Sequence, residues 1–342
     1  MTRGDAGPRP LWLAALTVAL VLVCLPRFDR HDWGFIDRFT TDGLPAAEQL
    51  ADAAYYVDLV RFFRGEIGLD ALQTPFSYRP LVPLIAAGVP ARPLTALDVV
   101  NVVFLAFGLW ALWAVLRRRV SARACVAGAA LYVFSFGTFY YGAVGYVDGA
   151  VLGLLAVGLW LAVSGRTGAL VAFMAVAPFA KEQTLVLLPV LAAQQWSAPA
   201  VSRLRALGTT LAAAALAGGA LWLSRRLFVA GDAHVWQAGL RAYRGNLAAE
   251  EVLKYLLGYG LPGALLLYAL WRRPRDLLAR RHALAPFVAG AAGGVTIALY
   301  GRLCCPAGGR LSWLTAPFLI PLALVLLRGR SGRVGEGAGG PN

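Results

Sequence analysis

The chain has 342 residues, of which 59% are hydrophobic and 15% charged, with a mean hydropathy of +0.63. That is more apolar side chain than a water-soluble core of this size can hide, so lipid must serve as part of its solvent and a soluble enzyme is excluded. The net charge of +14 and pI near 10.2 do not indicate nucleic-acid binding, because the arginines fall in short clusters at the ends of apolar runs, where they set membrane orientation and contact headgroups. The four cysteines form no disulfide framework: Cys24 and Cys125 lie in apolar runs, and Cys304 and Cys305 are neighbours.

In chain order, the first apolar run, 11–25, follows Arg3 and Arg9 and reads as an uncleaved signal anchor. No small-x-small cleavage site follows it, and Val21-Leu22-Val23-Cys24 lacks the small residue of a lipobox. Runs suited to a bilayer, about 17 to 25 residues if helical, then recur to the end. Ten crossings are predicted, at 10–26, 96–116, 122–140, 147–164, 168–180, 183–196, 206–224, 252–271, 283–300 and 312–327. The expected fold is all-α, a polytopic transmembrane helical bundle forming one domain over 1–327. A Gly- and Arg-rich cytoplasmic tail, 328–342, is expected to be disordered. With the N-terminus in the cytoplasm, the inward segments hold 17 basic residues against three acidic ones, and the remainder balances at 15 of each. The expected location is the bacterial inner membrane, with both termini cytoplasmic.

The region 27–95 is the predicted first extracytoplasmic loop, carrying interfacial helices packed on the bundle. Its segment 78–90 is apolar but too short and too broken by proline to cross. Over 46–65 a helix is expected, with Asp52, Tyr55, Tyr56, Leu59 and Phe63 on one stripe, Gly65 as its stop, and Asp58 about 120° away. The pair 168–180 and 183–196 is unusual: each segment is about 20 Å long against a hydrocarbon core of about 30 Å. Pro178 helps break the chain there, which places Lys181 and Glu182 below the outer surface.

Ionisable groups at membrane depth need a partner, a wet cavity or a function. Asp52, Asp148, Lys181, Glu182 and Arg310 all fall on the predicted outer side. Each also has a plainer role open to it: Asp52 a solvated carboxylate, Asp148 a helix cap, Lys181 and Glu182 a mutual pair, Arg310 an interfacial anchor. Three scattered histidines have no zinc spacing, and no glycine-rich phosphate loop or nucleophile elbow occurs. Asp52 and Asp58 diverge on their helix, so no divalent metal and no other cofactor is expected.

The order of these motifs resembles the GT-C-type integral membrane glycosyltransferases, the fold class of the protein O-mannosyltransferases and lipid A aminoarabinose transferases. Asp52-Ala53-Ala54-Tyr55-Tyr56 with Arg61 and Gly65 is similar to their acidic first-loop motif, with Ala53 where a second acid is common. The stretch Pro75-Phe76-Ser77-Tyr78-Arg79-Pro80-Leu81-Val82-Pro83 looks like their Tyr/Pro-rich segment before the second span. Tyr146-Val147-Asp148 resembles their Asp at the head of a span, Ala180-Lys181-Glu182 their Lys-Glu turn, and Gly309-Arg310 the Arg before the last spans. The likeness covers roughly 46–327. About 25 residues separate the first span from Asp52, longer than usual, and Asp29, Asp32, Asp37 and Asp42 compete with it for the acidic role.

The resemblance implies transfer of a sugar from a polyprenyl-phosphate donor to an extracytoplasmic glycan, lipid or protein acceptor. Asp52 would be the catalytic base, and Tyr55, Tyr56, Tyr78, Arg79, Asp148, Lys181, Glu182 and Arg310 would bind substrate. Two other readings stay open: a transporter or flippase of a lipid-linked sugar, and a non-catalytic subunit of envelope assembly.

Overall fold

The computed structural model describes residues 10–28, 51–74, 76–228, 249–304 and 308–328, without the side chains of 51, 52, 250, 251, 302–304 and 308–310. The competing acids Asp29, Asp32, Asp37 and Asp42, and the tail beyond 328, lie outside the described residues.

No β-strand occurs among the described residues. The helices are α1 (Pro10–Cys24), α2 (Ala51–Phe63), α3 (Leu81–Ala87), α4 (Pro93–Leu116), α5 (Ala122–Val133), α6 (Phe136–Tyr141), α7 (Asp148–Val163) and α8 (Thr167–Met174). They continue as α9 (Leu187–Ser197), α10 (Arg203–Leu227), α11 (Ala249–Arg272), α12 (Pro274–Ala279), α13 (Arg281–Cys304), α14 (Gly308–Trp313) and α15 (Ala316–Arg328).

Six helical stretches are long and apolar enough to cross a membrane: Pro10–Arg27, Pro93–Leu116, Ala122–Tyr141, Arg203–Leu227, Val252–Arg272 and Arg281–Gly301. They coincide with six of the ten predicted crossings. The other four fall on shorter helices, α7 to α9 and α15. At about 1.5 Å per residue these reach only about 12 to 24 Å. Composition explains why they looked like spans. α7 and α15 are apolar on every face because the bundle surrounds them, with nearly every residue buried, and hydropathy alone does not separate a buried core helix from a lipid-facing one. α3, at seven residues, is also too short to cross.

α4 packs along α7 more extensively than any other pair of helices. Close approach needs small residues at the crossing, and Gly153 supplies one: a Cβ there would lie 2.0 Å from the Phe104 carbonyl oxygen. The bundle therefore has two distinguishable ends. Leu94, at the start of α4, touches the turn before α7, and the far end of α4 lies about 36 Å away by helix rise. At that far end the Arg328 guanidinium donates to the Arg119 carbonyl at 2.6 Å, and Arg280 donates to Val325 at 3.1 Å. Three of the arginines assigned to one face by charge, Arg119, Arg280 and Arg328, thus lie at one end.

α2 begins within the helix expected over 46–65; residues 46–50 lie outside the described residues. It ends just before Gly65, whose φ of +74° is left-handed, and the Glu66 N–H returns to the Arg61 carbonyl at 2.9 Å. Its buried face is Ala53, Tyr56, Leu59 and Val60. Arg64 then donates to the carbonyls of Ala86, Ala87, Val89 and Ala91, capping α3 and tying α2 to it.

Candidate functional site

The site is built on a break in the chain. α8 ends at Met174, a 3-10 turn follows at Ala177–Phe179 with Pro178 inside it, and Lys181 is fully extended before a second 3-10 turn, Glu182–Val186, leads into α9. Proline has no N–H to give and favours such a break. Two adjacent side chains of opposite charge leave the helical register here, and each meets a partner from a distant segment.

The Lys181 ammonium donates to Asp148 Oδ1 at 2.7 Å, with the Asp148 side chain fully buried and that of Lys181 5% exposed. Asp148 is the first residue of α7; the helix is entered through Val147 without a side-chain cap, so the carboxylate serves the ion pair. α7 descends from Asp148 and α8 returns, which brings Lys181 back to the same end. At the opposite end Gln195 of α9 donates to Thr167 Oγ1 of α8 at 2.7 Å, so the short helices are pinned at both ends.

Glu182 turns the other way. Its two carboxylate oxygens accept from Arg79 Nη2 at 2.6 Å and Nε at 3.1 Å, the bidentate geometry that a planar guanidinium favours. Arg79 Nη1 donates to the Tyr56 hydroxyl at 2.7 Å, which joins α2 to the network. Burial works against ionisation of Glu182, but Arg79 and, less strongly, Lys181 hold its carboxyl below the usual range. Burial likewise disfavours the charge on Arg79, and the Tyr56 phenol and Glu182 carboxylate outweigh it, so the guanidinium stays firmly protonated.

Because the pKa of Glu182 is depressed in the fold, its contribution is present above its unfolded value and lost as pH falls through the folded one. Thermal unfolding in detergent should therefore show the wild type losing stability on acidification below about pH 4.3. Glu182→Gln should lose less over the same range. Equal acid slopes would contradict the pairing.

Aromatic rings frame this network. Phe76 stacks on Tyr55 at 4.5 Å, meets Tyr56 edge-on at 5.6 Å and lies 5.7 Å beneath the Arg79 guanidinium. Tyr78 is tied to the end of α10: its carbonyl accepts from Ser224 Oγ, Ser77 Oγ donates to the Phe228 carbonyl at 3.0 Å, and Arg225 sits 6.0 Å over the Tyr78 ring.

Among the predicted site residues, Tyr56, Arg79, Asp148, Lys181 and Glu182 form the two ion pairs and their phenol. Tyr55 and Tyr78 border them. The side chains of Asp52 and Arg310 lie outside the described residues, although the backbone of Asp52 is in the first turn of α2. Its neighbour Ala53 packs against the turn before α7: a Cβ on Gly145 would be 3.2 Å from that of Ala53. Ala53 is 4% exposed, so the place where a second acid is common has no room for one.

Sequence reasoning missed the groups that hold this turn. Asp98 accepts from the Gly145 N–H at 2.9 Å. Asn101, one helical turn on, accepts from the Ala150 N–H at 2.9 Å and donates to the Tyr146 carbonyl. Both are buried inside the α4 apolar run, and polar residues within such a run face the protein interior. That signal was present and averaged away.

No family model, curated protein or solved structure matches this chain.

Proposed function

We propose that this chain is a GT-C-like membrane glycosyltransferase that moves a sugar from a polyprenyl-phosphate donor to an extracytoplasmic acceptor. The observation that carries the reading is the Lys181-Glu182 turn, whose two residues engage Asp148 and Arg79 from separate segments at one end of an apolar bundle. Cations and acids concentrated there, beside the α2 helix that bears Asp52, suit a phosphosugar held at a membrane face.

In this reading the network faces the extracytoplasmic side of the inner membrane. The acceptor oxygen attacks the anomeric carbon as the bond from that carbon to the donor phosphate breaks. The acceptor proton passes to Asp52, and the electron pair leaves with the phosphate. A phosphate leaves as an anion without protonation, so one carboxylate base suffices, and nearby cations stabilise the charge it gathers. Arg310 and Lys181 contact that phosphate, while Asp148 fixes Lys181 in place. Tyr55 and Tyr78 supply rings and hydroxyls to the sugar, and Tyr56 holds Arg79 in place.

Asp52→Asn tests the base directly. The variant should insert normally and lose transfer by at least about 100-fold, the usual scale of a general base. Transfer at the wild-type rate would remove Asp52 from that role.

A further inference from the structure

At the end of the bundle away from Lys181 and Glu182, the starts of α8 and α10 and the last turns of α9 line a cavity of about 630 Å³. That volume lies within the range of small-ligand sites, about 300 to 1,000 Å³. Gly165 and Gly168 form part of the wall, and a Cβ at either would meet nothing within 4 Å.

Two amides line the cavity. Gln195 is 3% exposed, and its nitrogen donates to Thr167 Oγ1 and to Gln194 Oε1. Gln195 Oε1 and Gln194 Nε2 then meet no hydrogen-bond partner among the described residues, and neither is sealed in by protein. The one charged side chain on the lining is that of Arg205, in the first turn of α10. It holds no carboxylate among the described residues. From 149 to 226 the only acid is Glu182, which Arg79 engages at the other end. Arg166, next to the cavity in sequence, is turned onto the Trp160 ring at 4.7 Å.

A cavity that offers one unanswered cation, one amide acceptor and one amide donor suits a ligand with an anion beside hydroxyls. The planar fork of a guanidinium meets two oxygens of a phosphate at once, and hydroxyls both donate and accept, as the two amides require. The setting points to the source of such a ligand. α10 is long enough to cross a bilayer, so its first turn lies at headgroup level. Leu204, Leu207 and Leu211 form an exposed stripe beside the cavity, along which acyl chains can run.

We infer that this cavity binds a phosphoglycerol group, with Arg205 on the phosphate and Gln194 and Gln195 on the hydroxyls. The leucine stripe makes a phospholipid headgroup the source; the other source of the same chemistry is free glycerol phosphate. The site is separate from the Lys181-Glu182 network and does not rest on the function proposed above.

Binding to the purified full chain in neutral detergent tests it, with phosphatidylglycerol, phosphatidic acid and glycerol 3-phosphate as probes. Arg205→Gln should weaken phosphatidylglycerol at least about tenfold, as loss of a charged hydrogen bond does. Arg203→Gln, which lies off the cavity, should leave it unchanged. Gln194→Leu should weaken phosphatidylglycerol by about fivefold and spare phosphatidic acid, which has no headgroup hydroxyls. Gly168→Phe fills open space at the wall with every charge in place and should weaken both lipids. Should Arg205→Gln fail to insert, Gly168→Phe carries the test against the same controls. Wild-type affinity in Arg205→Gln overturns the site. Equal losses in Arg205→Gln and Arg203→Gln also overturn it, since they would mean diffuse attraction to the arginines of that end. Glycerol 3-phosphate bound as tightly as phosphatidylglycerol, and lost in Arg205→Gln, supports the site and gives it to a soluble ester.

Discussion

Lys181→Met should lower the stability of the folded chain by about 3 to 5 kcal/mol, the cost of breaking a buried ion pair from one side. The methionine fills similar space, so the loss is electrostatic: a fully buried Asp148 carboxylate is left without its ammonium at the head of α7. The double variant Lys181→Met with Asp148→Leu removes both charges and should recover most of that stability, since an apolar pair of similar volume often matches a buried ion pair. A thermal unfolding series in detergent, run as a double-mutant cycle, reads the coupling. Additive losses would mean that the two side chains do not depend on each other. In the functional reading the double variant is informative for another reason: it should be folded and still inactive, because the cation near the phosphate is gone.

Gly153→Leu should be almost as damaging, by about 3 kcal/mol, at the upper end of what overpacking a core costs. The atom opposing a new Cβ, at 2.0 Å, is the Phe104 carbonyl oxygen, and backbone cannot rotate away as a side chain can. α4 and α7 must therefore separate. Asn101 lies on α4 one turn before Phe104, and its hydrogen bonds to Tyr146 and Ala150 would stretch, loosening the turn that presents Asp148. Gly153→Ala should show a smaller loss of the same kind. The check is the melting temperature of the three proteins; equal values for wild type and leucine variant would mean that the helices do not cross this closely.

Hydropathy recovered the six long helices because each is apolar over at least 18 residues and has arginines at its ends, as in α4 with Arg117, Arg118 and Arg119. The four short segments are apolar too, and for α7 the reason is that protein surrounds it, a burial that an averaged window reads as lipid. The break at Pro178 to Glu182 was legible from its proline and charges. The partners were not, since Arg79 and Glu182 are 103 residues apart and only tertiary packing joins them. Arg27 looked like one more basic residue flanking a span. Nothing in local sequence distinguishes a snorkelling arginine from one folded inward against Tyr140. Ala53 is a departure from the resemblance that packing against Gly145 explains.

The central claim is sugar transfer, and reconstituted vesicles carrying a polyprenyl-phosphate donor with labelled sugar test it most directly when an extract of cell-envelope acceptors is supplied on the extracytoplasmic side. The account predicts that label leaves the lipid for an acceptor and that free polyprenyl phosphate appears in equal amount, both lost in Asp52→Asn. Labelled donor that crosses the bilayer intact, with no polyprenyl phosphate released, would contradict it and make the protein a carrier of the same lipid.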